Sequence, residues 1–130
     1  MTSTSPQFQT KIRKVQLSVI VTVIELSGEL DSLSTPTFRK MVYDVMEGLN
    51  PYIVLNLKSL VFINSQSLGV IVKAIKRLSK MKSGKLVLCQ VHPNLEMLFE
   101  MINPGIPVPN FVTEDGALNE FQGIKSEFEF

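Results

Sequence analysis

IVLNLKSLVFINSQSLGVIV, residues Ile53 to Val72, opens as a strand and closes as a helix. Its first part, taken back to Tyr52, is a continuous apolar run broken only by Asn56, the pattern of a strand covered on both faces. Leu60 to Ile63 lead on to four polar residues, Asn64, Ser65, Gln66 and Ser67. From there Leu68, Ile71, Val72, Ile75 and Leu78 recur at the spacing of one buried helical stripe, and Ser83-Gly84 ends it.

Upstream, Val19 to Leu26 is dense in β-branched residues and reads as one long strand or a strand pair, with Gly28 at its end. Thr35-Pro36 is a helix start, since proline suits the first turn and a threonine hydroxyl can accept an orphan amide hydrogen bond. Phe38, Met41, Val42, Val45, Met46 and Leu49 follow at helical spacing, and Gly48 and Asn50-Pro51 close the segment. Downstream, Lys85 to Val91 is a third buried-type strand. His92-Pro93 then starts a helix carrying Leu95, Leu98, Phe99 and Ile102, and Asn103-Pro104-Gly105 stops it. Asn110 to Val112 reads as a short edge strand, and Thr113 caps a last helix with Glu114 and Asp115 in its first turn. Strands alternating with helices in this way give an α/β sandwich, mostly parallel at its centre.

At 130 residues the chain has room for one core. The formal net charge of +1 gives no global field to draw in nucleic acid or an anionic membrane. Lys73, Lys76, Arg77, Lys80 and Lys82 cluster opposite the apolar stripe of their helix, without interleaved aromatics, as a solvated face does. Residues 1–12 are expected as a flexible terminus, residues 13–123 as the domain and residues 124–130 as a tail. No secretory signal and no bilayer-length apolar run is present, which predicts a cytosolic protein without membrane insertion.

Catalytic chemistry has little to stand on. Cys89 lies in the apolar run KLVLCQV as a small buried hydrophobe, and with His92 as the sole histidine no zinc set can be assembled. Gly-rich phosphate loops are absent. Glu25, Glu29 and Asp31 cluster only where a strand ends, and a receiver-type magnesium site would need acids where Asn56 and Asn64 stand. The expectation is a non-enzyme without a cofactor. Two readings of the joint Asn64 to Ser67 stand: a serine that caps the helix, or an anion-binding helix start suited to a phosphoryl group.

Four pieces together resemble the STAS domain family of bacterial anti-sigma-factor antagonists and sulfate-transporter tails. They are LSGELDSLSTPTFRK (Leu26 to Lys40), the Ile53 to Val72 stretch, Ser83-Gly84 with KLVLCQVHP, and FVTEDGALNEF, all within Val19 to Phe121. The resemblance implies a four- to five-stranded mixed sheet with helices mainly on one side. It also implies a regulatory module that binds an anti-sigma factor of the kinase-like ATPase type, with self-pairing into a homodimer a further family habit. The family's D-S-S-G-L-G joint reads here as N-S-Q-S-L-G. Asn64 takes the Asp place, Ser65 the first Ser, Gln66 the phosphoacceptor place and Ser67 the Gly; Asp31 of G-E-L-D is retained. Three explanations follow. The switch has moved to Ser65 or Ser67; the domain binds constitutively with Gln66 as a neutral recognition residue; or it serves as an accessory subunit of a transporter or larger signalling assembly. The second is preferred for the site, with Asp31, Asn64, Ser65, Gln66 and Ser67 as the partner-binding residues.

Overall fold

The structure is a computed structural model that describes residues 7–48, 51–102, 104–105 and 108–124. Its elements run β1 (Gln9–Gln16), β2 (Ile20–Leu30), α1 (Thr35–Met46), β3 (Tyr52–Ile63), α2 (Ser65–Ser79), β4 (Lys85–Cys89), α3 (Pro93–Ile102), β5 (Asn110–Phe111) and α4 (Glu114–Asn119). The five strands lie side by side in chain order, β1 antiparallel to β2 and all later neighbours parallel. This is the mixed sheet expected, because each helical crossover returns the next strand in the same direction.

Alternation along the strands divides the core in two. On one face Ile24, Leu26, Ile53, Leu55, Leu57, Leu86 and Leu88 pack against Phe38, Val42 and Met46 of α1, Leu68, Ile71 and Leu78 of α2 and Phe99 of α3. On the other, Val21, Val23, Tyr52, Val54, Val87 and Cys89 meet Ala117 of α4 and Phe121 beyond it. Phe121 sets its ring edge against Tyr52, with centroids 6.0 Å apart. Three helices therefore share one face and α4 covers the other.

Four local expectations need correction. Gln9 to Ile12, assigned to the flexible terminus, belong to β1 and pair with Ile24 to Ser27. Gly28 does not end its strand: with φ 82° it lets β2 continue to Leu30 through an irregularity in the pairing. Leu60 to Ile63 are the same strand as Tyr52 to Leu57. From Glu25–Asn56 to Leu30–Ile63, five steps along β2 are matched by seven along β3, so β3 carries two extra residues. On α3 only Phe99 is buried, while Leu98 and Ile102 are 38% and 40% exposed, because the two-residue β5 gives that helix a narrow floor. Leu49, Asn50, Asn103 and the tail beyond Ile124 lie outside the described residues.

Candidate functional site

The longer path of β3 brings Ile63 level with Leu30, so two strands end side by side and hand on to two helix starts. The amide of Asn64 donates to the carbonyl of Leu30 at 2.9 Å. The β2–α1 loop and the start of α2 thereby become one surface.

Asp31 shapes the first loop. Its Oδ1 accepts from the amides of Leu33 and Ser34 and from the Ser34 hydroxyl, each at 3.0 Å. The Ser34 amide and hydroxyl, with the Leu33 amide, hold the Asp31 carboxyl below its ordinary value of 3.8. One oxygen of the carboxylate predicted for partner contact is thus used in closing its own turn. Leu33, at the tip of that turn, is 87% exposed.

Helix α2 is capped by Asn64, whose Oδ1 accepts from the Ser67 amide at 2.8 Å. Neither serine of the joint is the cap, because helical geometry begins at Ser65, one residue after Asn64. Ser65 and Gln66 are exposed in the first turn, whereas Ser67 is fully buried. At α1 the expectation also shifts: Ser34 is the N-cap residue, and the Thr35 hydroxyl donates to the Asp31 carbonyl at 2.7 Å.

Thr35 joins the two loops. Its side-chain oxygen lies 2.8 Å from the Ser67 hydroxyl and accepts from Asn64 Nδ2 at 3.0 Å. A hydroxyl has one proton and two lone pairs. With the Thr35 proton on the Asp31 carbonyl, the Ser67 hydroxyl must be the donor to Thr35, and all three positions on Thr35 are filled. The result is a hydrogen-bond cluster that joins the two loops, with Thr35 and Ser67 buried and Asn64 half-buried, while Leu33, Ser65 and Gln66 nearby in sequence are exposed. The Ser67 hydroxyl is fully buried and held against Thr35.

Asn56 sits elsewhere. It points to the α4 side of the sheet, where its Nδ2 donates to Gln90 Oε1 at 3.0 Å and to Glu114 Oε1 at 3.1 Å, and its Oδ1 accepts from the Lys58 amide. Arg13 pairs with the other oxygen of Glu114. Burial pushes the nearby Cys89 thiol up to about 12, with the Glu114 charge adding to it. Sequence reasoning passed over Thr35 as a link and Leu33 as an exposed apolar tip. A leucine inside the polar run DSLSTPT was the one available signal for the latter.

The STAS domain model matches residues 11–104. The chain belongs to the STAS domain family. It is similar to an anti-sigma F factor antagonist of Paenibacillus polymyxa, 32% identical over 105 residues that cover 80% of this chain and 89% of that one. It is also similar to an anti-sigma F factor antagonist of Lysinibacillus sphaericus, 28% identical over 103 residues, 78% of this chain and 86% of the relative. In fold, this STAS domain is similar to an anti-sigma factor antagonist from Mycobacterium paratuberculosis, with TM-score 0.74 at 20% identity over 88% of this chain and 93% of that chain. The unphosphorylated form of the antagonist SpoIIAA gives TM-score 0.68 at 23% identity, covering 91% of this chain and all of the other. Within its N-S-Q-S-L-G joint this STAS domain exposes Gln66 and buries Ser67.

Proposed function

We propose that the chain is an anti-sigma-factor antagonist: a cytosolic, non-catalytic module that binds a kinase-like anti-sigma factor through the Asp31 loop and the first turn of α2. The observation that carries this reading is the Thr35–Ser67–Asn64 cluster, which ties the Asp31 loop to the first turn of α2. A preformed surface suits recognition, since little ordering cost remains at the moment of binding. With Gln66 at the acceptor position, binding is constitutive, and the family's phosphoserine switch is not used there. Pairing of two copies would engage α3, where Met97 and Met101 are 66% and 73% exposed beside Leu98 and Ile102.

The test is Ser65→Asp. An acid in the first turn of α2 meets the positive end of the helix dipole, so the fold should be kept or gain about 0.3–1 kcal/mol. The same charge introduced on the docking surface should weaken binding to the host's anti-sigma factor at least tenfold by titration calorimetry. Unchanged affinity with an intact fold would place the docking surface elsewhere. Phosphopeptide mass spectrometry of Ser59 to Lys73 from growing and stressed cells should return the peptide unmodified; phosphate on Ser65 would overturn constitutive binding.

A further inference from the structure

The charges of α2 are all of one sign. Lys73, Arg77 and Lys80 are exposed along the helix and its C-cap, with Lys76 and Lys82 beside them. Gln66, Lys73 and Lys80 are spaced by sevens, so they share one face with a drift of only about 20° per step. At 1.5 Å rise per residue the stripe runs about 21 Å from Gln66 to Lys80. Between Glu47 and Glu96 the sequence holds seven Lys and Arg and no Asp or Glu, in a chain whose net charge is +1. Over half of the 13 basic residues thus fall in a stretch that contains the α2 half of the candidate site.

We propose that this stripe receives an acidic surface of the same protein that engages Ser65 and Gln66, and that it sets the rate at which that protein is captured. The inference deepens the antagonist reading and rests on it. Continuity is one argument, because the stripe begins in the first turn of α2, where the candidate docking surface ends. Width is the other. Of the two helices packed against α2, α1 balances Asp44 and Glu47 with Arg39 and Lys40, Lys40 bridging Asp44 at 2.9 Å, while α3 carries the exposed acids Glu96 and Glu100 and no base. A flat anionic bilayer or a nucleic-acid duplex laid along α2 would meet the α3 acids as well, whereas an acidic ridge on a protein fits the stripe alone. No aromatic side chain stands on the stripe to stack a base. Opposite charges arranged in this way raise association rates 10- to 1000-fold at low salt and are screened within about 10 Å at 0.1 M.

The experiment is stopped-flow association of the full chain with each kinase-like anti-sigma factor purified from the native host, at about 0.02 and 0.5 M salt. Three variants accompany the parent: Lys73→Glu/Lys80→Glu on the stripe, Lys11→Glu/Lys58→Glu off it with the same charge change, and Ser65→Asp in the docking turn. The stripe variant should associate about tenfold or more slowly at low salt, with the gap closing at high salt, while the off-stripe variant stays within about twofold of the parent. Equal rates for the two double variants would overturn the stripe and leave the antagonist reading standing. A parent that binds no anti-sigma factor while Ser65→Asp makes no difference would overturn both. Vesicles of 30% phosphatidylglycerol in phosphatidylcholine serve as the competing surface. Stripe-dependent binding to those vesicles, without stripe dependence toward the protein, would make the occupant a lipid surface and overturn the proposal.

Discussion

Replacing Thr35 with valine keeps the shape of a side chain that is 1% exposed and removes only its hydroxyl. The Asp31 carbonyl is not orphaned, because the Thr35 amide still donates to it at 3.0 Å. Asn64 is half-buried, so its Nδ2 can turn to water. The loss falls on Ser67, whose fully buried hydroxyl no longer has its acceptor at 2.8 Å. An unsatisfied buried donor costs about 1–3 kcal/mol, so Thr35→Val should lower stability by about 2 kcal/mol in urea unfolding followed by circular dichroism. Ser67→Ala should cost less, about 1 kcal/mol, since it leaves no stranded donor. The double variant separates this account from simple loss of packing. With both hydroxyls gone nothing is stranded, so its cost should fall about 1 kcal/mol or more below the sum of the singles. Strict additivity would refute the linked-hydroxyl argument.

At Asn56, substitution by Asp would replace the donor facing Gln90 and Glu114 with a second carboxylate about 3 Å from the first. A loss of about 3 kcal/mol is expected at pH 7; the raised folded pKa makes that deficit shrink toward pH 4, and pH-independent unfolding midpoints would contradict it. The Cys89 thiol, pushed up to about 12 by burial, should resist a thiol reagent at pH 8 in the native protein and react once urea unfolds it; rapid native labelling would show the α4 side to be open. Because the folded value of Asp31 is lowered from 3.8, its loop contacts are fully present above that value and are lost as pH falls through the lower one. Amide resonances of Leu33 and Ser34 should therefore titrate with a midpoint under 3.8, and a midpoint at or above it would mean that the turn does not depend on the carboxylate.

Helix positions and the α4 cap were legible because each rests on a local pattern. The i, i+3, i+4 stripe of α2 buries Leu68, Ile71 and Leu78 as read, and Thr113 accepts from the Gly116 amide at 3.0 Å as a cap should. Strand β3 was read only in part. Leu57, Leu60 and Ile63 are buried at intervals of three because each irregularity adds a residue, which breaks the period of two that marks a strand. The residues of the site were legible as types, since a polar run between a strand and a helix has few structural uses. Which of them face solvent was not, because Ser67 is buried by Thr35, 32 residues away in sequence. A contact of that range leaves no periodic trace. The two amides Asn56 and Asn64 looked alike as replacements for acids, yet the sheet puts one beneath α4 and the other at the head of α2.

The two extra residues of β3 make the position of the proposed docking surface a matter of counting. Deleting either one would draw Asn64 back by about 3.3 Å; a deletion at Leu57 or Lys58 would turn both Leu60 and Ile63 outward and one at Val61 Ile63 alone, even though no residue of the proposed surface had changed. In a lineage of such domains, a single-codon deletion in the middle of this strand would therefore displace the proposed docking surface in one step while leaving the pairing of Ile53 to Asn56 in place.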